Sequence, residues 1–279
     1  MPLFRRKSGG SVVSTSSSAS VMDGSGRGSL FKSKSEKLRM AAQTGALEDL
    51  KKQLQKGAKA NGKGKEGVTA LHKACECGHK DIVDALLSSG ADVNLTDMNG
   101  RSAIHFATLE GYQAIVETLI SKGARLNAED ACGQSALFLA SRFGRMDLVK
   151  LLLEKHANVN QVDAEGMSAL HVAAEGGYVP IVDLLLKNHA RINAKAANGN
   201  TPLLQAVSKD QIDVCDLLIT HGANINAYES CGRTPLINAT IQSNSTLVDH
   251  FLQAGADINT RDNLGETALH KAAASGQRY

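Results

Sequence analysis

Four side chains that commonly bind metal ions fall within eight residues of this sequence. They are His72, Cys75, Cys77 and His79. A zinc ion would need these ligands to converge on one tetrahedral site. The surrounding pattern instead predicts a short helix that ends at Gly78. That helix would place His72 at a turn, Cys75 on its inner side and Cys77 on another face, so we expect no metal site and no cofactor.

Cysteine catalysis is the second chemistry that this segment could support. Cys77 and His79 could form a thiol–imidazole pair, but such a pair needs a third group that orients the base. The sequence shows no third group that would orient His79. We therefore expect that the chain is not an enzyme and that it has no catalytic residues.

The elements around these residues recur at a fixed interval. The segment Gly67-Val-Thr-Ala-Leu-His-Lys-Ala74 returns every 33 residues without insertion or deletion. The later copies begin at Gly100, Gly133, Gly166, Gly199, Gly232 and Gly265. A fixed period of 20–50 residues is the signature of a solenoid, in which each unit stacks on its neighbours. We expect the stability of each unit to come mainly from that stacking.

The copy that begins at Gly166 shows what one unit contains. Ser168 can cap a first helix, and Gly177 can end it in a left-handed conformation. Pro180 suits the start of a second helix because its position needs no backbone donor. The apolar residues that follow, such as Leu185, recur at helical spacing. Each unit therefore predicts two short helices and a connecting turn.

Four signatures recur in these copies. They are Gly-x-Thr/Ser-Ala/Pro-Leu-His, Ala-x-x-x-Gly, Ile/Val-Val-x-x-Leu-Leu and Gly-Ala-x-Val/Ile-Asn. From about residue 36 to residue 279 the chain resembles the ankyrin repeat. The resemblance implies an all-α, right-handed curved solenoid of helix-turn-helix units with β-turn or hairpin fingers. It also implies protein binding on the concave face made by the fingers and first helices, without catalysis by the repeats.

We expect four regions along the chain. Residues 1–35 form a disordered basic tail that is rich in Ser and Gly, and residues 36–66 form an N-terminal capping repeat. Residues 67–264 form six full repeats, and residues 265–279 form a partial last repeat. That last copy would leave Leu269 and Ala272 without a second helix over them. Either the chain is a fragment of a longer protein or this helix is a natural cap.

Charge and hydropathy exclude two classes of partner. Residues 1–35 hold six basic residues against one acidic residue, so the remaining 244 carry a formal charge of −2. The repeats have no row of basic residues that could bind a phosphate backbone, and we expect that no nucleic acid is a partner. No apolar run approaches 18 residues, so we expect no membrane span. We expect a protein as the partner and a monomeric repeat domain.

The basic tail allows three interpretations. It can be a solvated leader, a phosphorylation region or a mitochondrial transit peptide. The second interpretation rests on Ser8, which ends the segment Arg5-Arg-Lys-Ser8. That segment resembles a site for basic-directed kinases.

The cysteines indicate a reducing compartment. The chain has five, an odd number. Cys132 and Cys231 occupy equivalent positions three repeats apart, which is too far for a disulfide. No apolar segment near Met1 indicates secretion. We expect a cytoplasmic protein, with the nucleus as the alternative.

The resemblance also implies roles for two repeated polar residues. The motif His is implied to be structural, bonding near the turn; it is present as His72, His105, His171 and His270. Asn94 and Asn259 each close a repeat. Such an Asn can be a turn residue that bonds its own backbone, and in this family it can be a target for asparaginyl hydroxylation.

Two repeats depart from the pattern where the first helix ends. Asp210 and Ser243 stand where the other repeats have Gly. Either residue must take a strained left-handed conformation or change the turn. We therefore expect the region Gly199–Asn259 to be the softest part of the repeats.

The register places a set of apolar and charged residues on one side of the central repeats. They are Met98, Arg101, Leu109, Glu110, Arg142, Phe143 and Met167. Exposed aromatic and Met residues beside Arg are typical of interface cores. We expect a partner protein to bind at this set, unless Phe143 tucks under its own helix end.

Two functions fit these expectations. The favoured one is an intracellular scaffold or adaptor that binds another protein through the concave face. The alternative is a regulatory segment of a larger enzyme or channel, in which the repeats dock in cis. Both use the same surface, and they differ in where the bound segment comes from.

Overall fold

The structure is a computed structural model that describes residues 33–276. The predictions for residues 1–32, including the disordered tail and Ser8, lie outside the described residues. Within the described part, fifteen α-helices follow one another as seven pairs and a last single helix. No helix of this part is long and apolar enough to cross a membrane.

The helices fall into two series. The first helices are α1 (Lys34–Thr44), α3 (Ala70–Cys77), α5 (Ala103–Glu110), α7 (Ala136–Arg142), α9 (Ala169–Glu175), α11 (Pro202–Val207), α13 (Pro235–Ile241) and α15 (Ala268–Ala274). The second helices are α2 (Leu47–Gln55), α4 (Lys80–Ser88), α6 (Gln113–Ser121), α8 (Met146–Glu154), α10 (Val179–Lys187), α12 (Ile212–Thr220) and α14 (Ser245–Gln253). A 3-10 turn, Lys65–Gly67, precedes α3. The predicted all-α stack of helix pairs is confirmed.

Ser or Thr side chains start the first helices. Ser135 Oγ accepts a hydrogen bond from the N–H of Phe138 at 3.3 Å, and Thr201 Oγ1 accepts one from Leu204 at 3.4 Å. These bonds satisfy donors that have no partner inside the helix. Ser33 does the same for α1, bonding Glu36 at 3.1 Å. The first helix therefore begins at Lys34, two residues before the start that the sequence predicts.

A left-handed residue separates the two helices of each pair. At Gly78 it has a φ of 77°. Asp210 and Ser243 take the same conformation, with φ of 55° and 61°. The turn is therefore retained, and the two non-glycine residues are strained as expected.

Close packing between neighbouring repeats explains why Gly suits this turn. Tyr112, the residue before α6, lies against Gly78 of the preceding repeat. A Cβ at Gly78 would lie 2.6 Å from Tyr112 Cζ. The ring of Tyr178 lies in the same way on Gly144, where the corresponding distance is 2.7 Å.

The apolar core runs through the whole stack. First helices pack against first helices from α1 to α15, and second helices pack in order from α2 to α12. Leu170, Ala173 and Leu185 have no accessible surface. The small Ala side chain lets neighbouring helices approach closely. Leu269 of α15 is exposed, whereas its equivalents, such as Leu236, are buried. Among the described residues, no second helix covers Leu269.

Hairpin-like fingers connect the repeats. Asp97 Oδ1 accepts from the N–H groups of Asn99 and Arg101, at 2.9 and 2.8 Å. Isolated β-bridges join Thr96 to Ser102 and Val162 to Ser168. Backbone bonds then link successive fingers, as from Ala131 N to Asn99 O at 2.8 Å. The fingers thus form a continuous edge beside the first helices.

Candidate functional site

The four metal-ligand types near α3 do not converge. His72 Nδ1 accepts from Thr69 N at 3.2 Å, and His79 Nε2 lies 3.2 Å from Gln43 O in the preceding repeat. Cys75 is buried, and burial raises the pKa of its thiol. Among residues 33–276, no group of three or more His, Cys, Asp or Glu could hold a metal ion.

Cys77 has no activated thiol. Partial burial and the charge of Glu76 raise the pKa of Cys77. A nucleophilic cysteine needs the opposite shift, because the thiolate is the reactive form. Both effects therefore favour the protonated thiol of Cys77.

The motif His has a structural role. His105 Nδ1 accepts from Ser102 N at 3.1 Å, so its proton lies on Nε2. Nε2 lies 3.1 Å from Ala128 O and 3.2 Å from Gln134 O, which belong to the next finger. His72 and His171 make equivalent contacts. Burial is the main cause that lowers the pKa of all three, which favours the neutral ring.

The closing Asn holds neighbouring repeats together. Asn94 Oδ1 accepts from Arg125 N at 2.9 Å, and its Nδ2 donates to Gly123 O at 3.0 Å. The N–H of Asn94 donates to Asp92 Oδ1. The prediction that Asn94 bonds its own backbone was wrong, because Asp92 fills that role. Hydroxylation of Asn94 or of the exposed Asn259 stays a prediction.

Met167 does not belong to the exposed set that the sequence predicts. Its side chain is only 9% exposed and packs in a cluster with Phe138 and Val172. Phe138 occupies the position of the motif His, so an apolar ring stands where His72, His105 and His171 each meet the next finger. Met167, in the finger that follows, packs onto the Phe138 ring and is therefore not exposed.

Arg101 is engaged within its own finger. Its Nε and Nη2 atoms donate to Asp97 Oδ2 at 3.0 and 2.8 Å. The guanidinium also lies 4.6 Å from the ring centroid of Phe106. Arg101 therefore shapes the finger, and the prediction that it flanks the apolar patch as a binding residue overlooked these contacts.

Met98 and Phe143 are exposed, but the structure does not bring them together. Met98 is 77% exposed in a finger, and Phe143 is 49% exposed at the end of α7. A first helix of seven or eight residues separates these two edges by about 10–12 Å. The alternative in which Phe143 tucks under its helix end was wrong.

Four of the predicted residues do form one surface. Leu109, Glu110, Arg142 and Phe143 lie at the ends of the adjacent helices α5 and α7, and we call them the helix-end patch. Leu109 is half-buried against the Phe138 cluster, whereas the other three are exposed. The Arg142 side chain makes no hydrogen bond or ion pair with any residue in 33–276. The patch thus combines an aromatic ring with a cation that has no partner in the described part of the chain.

Sequence reasoning did not assign Gly176 or Tyr178 to the binding surface. Gly176 follows α9 at the position equivalent to Phe143, and the ring of Tyr178 lies against it. The consecutive Gly176 and Gly177 were the available signal, since the other repeats lack this pair.

The comparison with family models identifies the repeats. A model described as ankyrin repeats (3 copies) matches residues 38–130, 123–196, 180–262 and 203–279. The chain belongs to the ankyrin repeat family. Ankyrin repeats are generally protein–protein interaction modules and are typically non-catalytic. No curated protein matches the chain at a significant level.

Proposed function

We propose that this ankyrin repeat chain is an adaptor that binds a partner protein through the helix-end patch. The half-exposed ring of Phe143 carries the proposal. Aromatic residues and Arg are enriched in interface cores, where a few residues carry most of the binding energy. The other exposed members of the patch add one charge of each sign.

The rest of the chain supports a binding role. His105 and the bonded fingers tie α5 to the next repeat, so the α5 side of the patch is held in place before binding. A preorganised surface loses little conformational freedom on binding. We further propose that the protein acts in the cytoplasm, since its cysteines at 75, 77, 132, 215 and 231 are all free thiols.

Affinity capture with matched variants tests this proposal. Phe143→Ala removes the exposed ring, and Ile241→Ala removes a similarly exposed side chain from the end of α13. Leu109 is left intact because it is half-buried, and a change there would also disturb packing. Proteins captured by the wild type should be lost with Phe143→Ala and retained with Ile241→Ala.

Two controls complete the test. Both variants should melt within about 0.5 kcal/mol of the wild type, the usual range for surface changes. If Phe143→Ala captures the same proteins as the wild type, the helix-end patch is not the binding site.

A further inference from the structure

The surface beside Phe143 is unlike the same place in the other repeats. The equivalent positions hold Cys77, Glu110, Gly176, Lys209 and Gln242. On the α9 side of Phe143, Gly176 therefore leaves a helix end without a side chain. Gly176 is itself exposed, and the Tyr178 ring lies against it.

The ring of Tyr178 explains the bare position. A Cβ at Gly176 would lie 2.4 Å from Tyr178 Cε2, and a Cβ at Gly144 would lie 2.7 Å from Tyr178 Cε1. Tyr178 thus packs against both glycine backbones and is only partly buried. The Tyr178 ring therefore fills the space that a side chain at position 176 would occupy.

The charges around this stretch are arranged unevenly. Glu175 Oε1 lies 3.4 Å from Lys209 Nζ, so its carboxylate pairs with the following repeat. Arg142, the residue equivalent to Glu175 in α7, makes no hydrogen bond or ion pair with any described residue. An exposed guanidinium offers a planar fork of donors that matches a carboxylate. Glu110 carries the opposite charge on the α5 side. The surface is therefore expected to attract a ligand carboxylate only next to Arg142.

We propose that this surface binds an extended segment of a partner protein that carries an apolar side chain close to a carboxylate. The apolar side chain covers Phe143 and the Tyr178 ring that lies on Gly176, and the carboxylate pairs with Arg142. This inference rests on the proposed function and specifies its ligand. Apolar contact supplies the anchor, and the ion pair fixes the direction of the segment.

Selection from a random peptide library tests this chemistry with the full chain as bait. Peptides enriched on the wild type should share an acidic residue at a constant spacing from an aliphatic or aromatic residue. Arg142→Glu inverts the charge of the patch, so the same selection on that variant should enrich Lys or Arg at the acidic position. This change from acidic to basic residues in the selected peptides distinguishes a specific ion pair from nonspecific binding.

The affinity of one selected peptide gives the quantitative test. Its Kd, measured by fluorescence polarisation, should rise at least about tenfold with Phe143→Ala and with Arg142→Glu. Ile241→Ala, at the end of α13, should change the Kd by less than about twofold. Unchanged circular dichroism and melting would show that the variants remain folded.

Three outcomes would overturn the inference. The proposed segment would be excluded if the selected peptides lacked an acidic residue or bound equally well to the Arg142→Glu variant. It would also be excluded if no peptide were enriched. Loss of protein capture with Phe143→Ala would still support the proposed function in those cases. The chemistry of the ligand and the location of the interface are thus tested separately.

Discussion

At the scale of single residues, the buried histidines matter most. His72, His105 and His171 are neutral rings that tie the start of a first helix to the next finger. The family resemblance predicted this role. The burial of Met167 could not be predicted in the same way, because it depends on Phe138 in the preceding repeat and on how a finger side chain folds over it.

Acid should destabilise the repeats through these histidines. Burial lowers the pKa of His72, His105 and His171 from the usual 6.5. Below pH 6.5 the unfolded chain therefore binds more protons than the folded chain, so the free energy of unfolding falls as the pH falls. Urea denaturation at pH 7.5 and at pH 5.5 would measure this loss.

One variant separates this effect from other titrations. His105→Phe reproduces the residue that the next repeat has at position 138, and it should reduce the dependence on pH. Equal dependence in the wild type and in His105→Phe would show that the His105 ring is not responsible.

At the scale of elements, the helices were predictable because each repeat contains its own start and stop signals. Ser or Thr begins a first helix, and a left-handed residue ends it. The bonds between repeats were less predictable. The contacts of Asn94 reach Gly123 and Arg125, 29 and 31 residues away, and the spacing of one repeat does not reveal them.

Stacking of second helices should make Leu185 far more important than its neighbour. Leu185 has no accessible surface, whereas Leu184 in the same helix is half-buried. Leu185→Ala should lower the free energy of unfolding by about 2–5 kcal/mol, the cost of a large cavity in a core. Leu184→Ala should cost less than about 2 kcal/mol, since less area is lost. Equal costs in urea denaturation would contradict the assignment of Leu185 to the buried face of α10.

At the scale of the whole molecule, stability should vary along the stack. Asp210 and Ser243 are left-handed, a conformation that costs roughly 1–2 kcal/mol for a residue other than Gly. The repeats from α11 to α14 should therefore open more readily than those from α3 to α6, whose helix-end turns contain Gly.

Native-state hydrogen exchange can measure this difference. Amides of α12 and α14 should exchange faster than those of α4 and α6 under the same conditions. Greater protection in α12 and α14 would refute the expectation that the region Gly199–Asn259 is the softest part.

Site-specific photo-crosslinking tests most directly whether the helix-end patch is the binding surface. A photoreactive phenylalanine analogue would replace Phe143 in the patch, or Met146 on the exposed side of α8 in the same repeat. We expect the probe at position 143 to crosslink to a partner protein in cells and the probe at position 146 to give no such product. Crosslinks from position 146 with none from position 143 would contradict the proposed binding surface.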